Sequence, residues 1–209
     1  MIVLIGERVV VEPFAVGDLA ALVAYRNDPQ IARYQGWALP FTDEQAATLI
    51  AKGSERAAFE PGWWAQLAIR RRADAALLGD VYVHRLAPSP HTAELGITIA
   101  IEFQRHGYAA EAVELVLDAM LGPVVRKVIA YVDVRNSASI ALFDRLGFRR
   151  EGVLADSFAL DDGTFADEVL FGLTAPARPG PSPALTDRVP GDPTGDDDLT
   201  EDDLDTLPP

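Results

Sequence analysis

Glu94-Leu95-Gly96-Ile97-Thr98-Ile99-Ala100-Ile101 runs into Gln104-Arg105-His106-Gly107-Tyr108-Ala109-Ala110-Glu111, and a helical pattern then continues to Met120. An apolar strand, a small-residue turn and a helix in that order make an anion cradle. Small residues let backbone N–H groups approach a ligand closely, and the positive end of the helix dipole favours phosphate oxygens. Gly107 and Ala109 keep the approach open. The same pattern also opens helices that bind nothing, so a second stretch has to decide. Asn136-Ser137-Ala138-Ser139-Ile140-Ala141-Leu142-Phe143-Asp144-Arg145-Leu146-Gly147-Phe148 places an Asn and a Ser at the mouth of a short helix that closes on Leu-Gly-Phe.

Together the two stretches resemble the GNAT family of acetyl-CoA-dependent N-acetyltransferases, and within it the RimJ/RimL-type branch that acetylates ribosomal-protein N-termini. Gln104, Gly107 and Ala109 match the family's Gln/Arg-x-x-Gly-x-Gly/Ala pyrophosphate loop. Asn136, Ser139, Leu146, Gly147 and Phe148 match its Asn-x-x-Ser segment and the Leu-Gly-Phe that follows. The likeness extends from Glu7-Arg8-Val9-Val10-Val11-Glu12-Pro13 to Asp162-Gly163-Thr164-Phe165-Ala166-Asp167. It implies an α+β, acyl-CoA N-acyltransferase fold: a mixed, mostly antiparallel sheet of six to seven strands flanked by about four helices. The fourth and fifth strands would splay apart around the cofactor.

Composition is consistent with one catalytic domain. A chain of 209 residues with 49% hydrophobic content can bury one core and is short for two. The absence of cysteine excludes disulfides, thiolate metal sites and a cysteine nucleophile. The apolar start Met1-Ile2-Val3-Leu4-Ile5 meets Glu7 and Arg8 at once and has no basic region before it, so it does not read as a secretion signal. No apolar run approaches the about 20 residues of a membrane helix. A soluble, cytoplasmic protein is expected. The net charge of −14 argues against nucleic-acid partners. Half of that charge lies from Pro176 onward, where nine acidic residues accompany two arginines and eight of the fifteen prolines. We read residues 1–175 as the catalytic domain and residues 176–209 as a disordered acidic tail, with Leu199, Leu204 and Leu207 as the only hint of a docking motif.

Before the tail the expected order is a strand, two helices, three strands, helix, strand, helix and two strands. Val9 to Pro13 alternates like an edge strand, and Asp18 is read as the cap of a helix reaching Asn27. Thr42-Asp43-Glu44-Gln45 is a capping box. Strands follow at residues 64–70, 77–85 and 93–101. A helix spans about Gly107 to Leu121 and a strand Val125 to Val134. After the helix Asn136–Leu146, a final hairpin turns at Asp161-Asp162-Gly163.

Amide formation from a thioester needs a deprotonated amine, a held carbonyl, a stabilised oxyanion and a proton for the thiolate. The resemblance implies that acetyl-CoA, with no metal, lays its pyrophosphate on the segment Gln104, Arg105, His106, Gly107, Tyr108, Ala109 and Ala110. Its pantetheine would pair with the strand edge at Ile99 and Ile101, with Asn136 on the pantetheine amides or acting as a helix cap. Ser139 would protonate the thiolate or bond back to its own helix. In the broader family a tyrosine often stands four residues past that serine, where this chain has Phe143. Glu94 is the candidate base, ahead of Asp167 and Glu168. Tyr34, Trp37 and the Trp63-Trp64 pair are candidates for walls of the acceptor cleft. His84, His91 and His106 have no metal-ligand spacing. Many relatives carry an arginine soon after the Glu151-Gly152 pair, and this chain does not, so specificity does not transfer. The expected reaction is direct attack on acetyl-CoA by a primary amine, either a protein N-terminus or a small amine such as an aminoglycoside or polyamine. The enzyme would act as monomer or homodimer. The rival reading is a noncatalytic acyl-CoA-binding module.

Overall fold

The computed structural model describes residues 2–52, 59–160 and 163–176, all within one compact unit, Met1–Pro176. The expected tail and the turn at Asp161 and Asp162 therefore lie outside the described residues, except for Pro176 and Gly163. Eight strands form one sheet: β1 (Leu4–Ile5), β2 (Val9–Pro13), β3 (Trp64–Arg71), β4 (Leu77–Arg85), β5 (Thr92–Ile99), β6 (Lys127–Asp133), β7 (Arg149–Ala159) and β8 (Phe165–Thr174), in the order β1-β2-β3-β4-β5-β6-β8-β7. Among the described residues there are five α-helices: α1 (Leu19–Arg26), α2 (Pro29–Ala32), α3 (Asp43–Lys52), α4 (Tyr108–Met120) and α5 (Ser137–Arg145). The architecture is the expected α+β one. The strand beyond the expected seven is the two-residue β1, and the added helix is the single turn α2, which opens on Pro29 with Asp28 accepting from the Gln30 N–H.

Strand alternation decides which residues face which layer. Ala93 and Leu95 of β5, Val81 and Val83 of β4, and Val128, Ala130 and Val132 of β6 turn to one face. There they meet Ala112, Val113, Val116, Leu117 and Met120, the apolar stripe of α4. A smaller cluster on the other face joins Phe14, Leu22, Tyr25, Ile31, Phe41 and Ala46 to Ala68 and Ala100. It covers only the end of the sheet under α1 and α3.

Every neighbouring pair of strands is antiparallel except β5 with β6. Those two run parallel and pair only at Thr92↔Lys127, Ala93↔Val128 and Glu94↔Ile129. Beyond Glu94 they part, while β4 and β8 stay paired to their outer sides.

Two local expectations change. Asp18 makes no side-chain cap to α1; its carboxylate accepts from the Ala15 N–H at 2.7 Å and is gripped by Arg70 at 2.7 and 2.5 Å. A half-buried guanidinium gripping with two nitrogens outcompetes a helix end for that carboxylate. Val125 is not part of β6 but forms an isolated bridge to Leu121. The capping box at Thr42 stands as read, with Thr42 Oγ1 accepting from the Gln45 N–H and Gln45 Oε1 from the Thr42 N–H. Among the described residues no helix is long and apolar enough to cross a membrane.

Candidate active site

The parting of β5 and β6 opens a cleft of about 440 Å³. One wall is the end of β5 and the segment leading into α4, through Ile97, Thr98, Ile99 and Gly107. The other is the mouth of α5, through Asn136 and Ser139. Residues around α2, including Tyr34, lie across it. The Tyr34 hydroxyl donates to the Arg135 carbonyl at 3.3 Å, tying that segment to the opposite lip.

The turn into α4 has the shape an anion cradle requires. Arg105 and Gly107 both take left-handed backbone conformations, with φ of 65° and 83°, and Gly107 occupies the N-cap position. At 83° a side chain is strained, and a Cβ there would also stand 3.2 Å from Arg8 Nη2. Among the described residues, the N–H groups of Arg105, His106, Gly107, Tyr108, Ala109 and Ala110 have no acceptor; the first satisfied one is Glu111, which donates to the Gly107 carbonyl. Six successive free donors at a helix N-terminus fit a pyrophosphate. Arg105 and Arg145, also on the cleft wall, have no carboxylate partner among the described residues.

A second set of free main-chain groups lies along β5. The Ala100 N–H donates back to Leu78 at 2.8 Å, so the pleat turns the N–H of Ile99, and two residues earlier the N–H and C=O of Ile97, to the open edge. β4 comes close enough to support this edge because residue 79 has no side chain: a Cβ there would stand 2.0 Å from the Thr98 oxygen.

Not all sequence candidates meet in the cleft. Ile99, Ile101, Gln104, Arg105, Gly107, Tyr108, Ala109, Asn136, Ser139 and Tyr34 line it; His106, Ala110, Glu94, Trp37 and Trp63 do not. Ile101 belongs to a 3-10 turn (Ile101–Phe103), so the pairing edge stops at Ile99. The Gln104 side chain is not aimed at a phosphate; its Nε2 donates to the Ile99 carbonyl at 2.9 Å. The His106 ring turns back to the Gln104 carbonyl at 2.7 Å and stacks on Tyr108.

Asn136 caps α5 by accepting from the Ser139 N–H at 3.2 Å, which leaves its amide Nδ2 without a partner among the described residues. The Ser139 hydroxyl makes no hydrogen bond there either, so the return to its own helix is not taken. Phe143 is 2% exposed and packs between Phe148 and Phe171. Leu142 takes the cleft side of that turn instead.

Trp63 is a correction. At 5% exposure it is a core residue against Phe59, and the pleat gives the uncovered sheet face to its neighbour Trp64, 39% exposed and facing Tyr82. Trp37 is held away from the cleft by Arg26, whose carbonyl accepts its indole N–H at 3.0 Å and whose guanidinium lies 4.3 Å from its ring. Glu94 lies on the uncovered face, opposite His84 on β4 and at the point where the strands part. Burial chiefly, with Glu168 adding to it against the pull of His84, pushes its carboxyl above the ordinary range. Trp64, Tyr82, Tyr131 and Glu168 complete this face, which sequence reasoning assembled only in part because its members come from five strands. Arg8 was missed as well: it touches the cradle from the turn before β2 and has no motif of its own. Among the described residues no cluster of three or more His, Asp or Glu is arranged to hold a metal ion.

A split parallel pair with a donor-rich turn on one lip and a polar helix mouth on the other suits a thioester carried by a long phosphate-bearing arm. Known proteins agree. Residues 8–149 match the acetyltransferase (GNAT) domain model. The uncharacterised N-acetyltransferase YoaA of Bacillus subtilis (strain 168) is 28% identical over 173 residues, 81% of this chain and 95% of its own. Among solved structures, RimJ of Mycobacterium smegmatis in complex with CoA-disulfide has a TM-score of 0.68 at 21% identity, covering 80% of this chain and 82% of its own. The spermidine N-acetyltransferase of Vibrio cholerae in complex with CoA and spermine has a TM-score of 0.67 at 21% identity, covering 81% and 96%. The chain belongs to the GNAT family, and it is an acetyltransferase that uses acetyl-CoA as cosubstrate.

Proposed function

We propose that the acceptor is a cationic primary amine, a protein N-terminus or a small amine, that reaches the thioester from the uncovered sheet face. The observation that carries this reading is the pair of carboxylates on the two sides of the split: Glu94 on β5 and Glu168 on β8, near enough for one to raise the pKa of the other. Trp64 and Tyr131, 39% and 41% exposed, flank them as aromatic surfaces against which an ammonium group is stabilised.

Each group has one role in this reading. The pyrophosphate lies on the N–H groups of 105–110, and the pantetheine lies against the open edge of β5 and the free amide of Asn136. Glu94 takes a proton from the ammonium group, directly or through a water, and the neutral amine nitrogen then attacks the thioester carbon. The developing oxyanion is met by a free N–H of that β5 edge. When the C–S bond breaks, the Ser139 hydroxyl gives its proton to the thiolate and recovers one from the new amide nitrogen, the role that Phe143 has no group to fill. The resemblance to the RimJ/RimL-type branch and the polyamine bound by the Vibrio cholerae neighbour define the panel to be tried.

The test is release of free CoA thiol from acetyl-CoA with N-terminal peptides, polyamines and aminoglycosides as acceptors, each product identified by mass. Acetylation of a cationic amine, with a raised KM for that amine in the Glu168→Gln variant at pH above the rising limb, supports the reading. Turnover only with uncharged acceptors, or a Glu94→Gln variant with the wild-type rate, overturns it.

A further inference from the structure

Beyond the cradle's own backbone, one ion pair reaches into it from the far end of the sequence. Arg8 stands in the turn between β1 and β2, and its Nε donates to Glu111 Oε2 at 2.9 Å. Its Nη1 donates to the His106 carbonyl, also at 2.9 Å, and its guanidinium lies 5.3 Å from the centre of the Tyr108 ring. The other oxygen of Glu111 accepts the N–H groups of Arg8 at 2.6 Å and Val9 at 3.1 Å. One guanidinium therefore touches three of the residues 106–111 that shape the cradle, and it lies under Gly107, the residue whose missing side chain leaves room for it.

Glu111 makes this contact consequential. It lies in the first turn of α4, directly after the last of the six free donors. Burial pushes its carboxyl up, but the N–H groups of Arg8 and Val9 and the Arg8 guanidinium outweigh that and hold it below the ordinary carboxylate range, so it is charged. A bare carboxylate there would repel the same anion that the helix end attracts. A cation paired to it cancels that repulsion while leaving the free N–H groups in place.

We propose that Arg8 and Glu111 form a clamp that fixes the shape of the pyrophosphate cradle and neutralises the carboxylate beside it, which makes Arg8 a positioning residue for acetyl-CoA. The inference rests on the assignment of residues 105–110 to the pyrophosphate. A lysine at position 8 keeps the charge and loses the fork that reaches Glu111 and His106 together. A glutamine at position 111 keeps an acceptor for the two N–H groups and loses the charge.

The test is calorimetric titration of the full chain with acetyl-CoA, beside the melting temperature of each ligand-free variant. Arg8→Ala is expected to weaken binding by about tenfold or more, and Arg8→Lys by less. The double variant Arg8→Ala with Glu111→Gln carries the deciding sign. It should bind acetyl-CoA more tightly than Arg8→Ala alone, with no gain in melting temperature. A purely structural pair gives the reverse, affinity and melting temperature falling together. Unchanged affinity in Arg8→Ala, or no recovery in the double variant, overturns the clamp while the cofactor site stands. Wild-type protein that fails to bind acetyl-CoA overturns both. Should Arg8→Ala fold poorly, Arg8→Lys paired with Glu111→Gln reads the same sign.

Discussion

The two sides of the split strands are made of different material. On the proposed reading the cofactor side is main chain: six free N–H groups at the start of α4 and the open edge of β5. The proposed acceptor side is side chain: Trp64, Tyr82, Glu94, Tyr131 and Glu168, one from each of five strands, on a face that none of the described helices covers there. Backbone groups are the same in every residue, so the cofactor side depends on chain geometry and tolerates any sequence that keeps its turns. The acceptor side depends on particular functional groups and can change specificity without disturbing the fold.

The comparison breaks first if the support beneath the acceptor face gives way. Asp80 is fully buried between β3 and β5, where it accepts from the Tyr25 hydroxyl and Gln66 amide and pairs with Arg26 at 3.3 Å. Burial above all, then Asp80, pushes the Tyr25 phenol well up, so it stays a donor at every physiological pH. Asp80→Ala would strand a 4%-exposed arginine whose Nε is already without a hydrogen-bond partner among the described residues. The expected cost is about 3–5 kcal/mol of unfolding free energy by urea denaturation. It should also loosen Trp37, which Arg26 holds. A loss under about 1 kcal/mol would show the network to be water-accessible.

On the cofactor side, Gly107→Trp adds a side chain at a left-handed position against Arg8. Acetyl-CoA affinity should fall by about a hundredfold or more, roughly 2.7 kcal/mol, with little change in acceptor preference. Retained affinity would mean that the pyrophosphate lies elsewhere. Ser139→Ala separates binding from chemistry: acetyl-CoA affinity unchanged, and acetyl transfer lowered by about tenfold to a hundredfold. A variant as fast as wild type would assign the thiolate proton to water.

This division also explains what the amino-acid sequence disclosed. Gly107, Asn136, Ser139 and the Leu-Gly-Phe close are short-range features, because a turn and a helix mouth are built from consecutive residues. The splay of β5 from β6 followed from the family they pointed to. Trp63 and Trp64 show the opposite case. Both are bulky aromatics in one dipeptide, and only the register of β3 on β4 decides which is buried. Arg8 was illegible for a related reason, since its partner stands 103 residues away. The Asp18 cap failed because a side chain 52 residues on, Arg70, took the carboxylate. Phe143, which stands where the broader family often has a tyrosine, is core, a placement that depends on Phe148 and Phe171 beyond its own helix.

The smallest expected effect is the most diagnostic of the acceptor side. Glu94 has a carboxyl raised above its ordinary value, chiefly by burial and further by Glu168. As a base it must be ionised, so acetyl transfer should rise with pH through that raised pKa, and Glu94→Gln should remove this limb and lower the rate by about tenfold or more. Stability runs the other way. A carboxyl whose folded pKa is raised holds its proton more tightly when folded, so between the unfolded value and the raised one the folded state binds more protons, and stability falls as pH rises. Glu94→Gln should therefore melt slightly higher than wild type at neutral pH and show no such advantage in acid below both pKa values. Glu168→Gln should lower the Glu94 pKa and shift the rising limb to lower pH without removing it. A variant that is slower and less stable at neutral pH would instead make Glu94 a structural member of the β5 edge, leaving the acceptor face without its base.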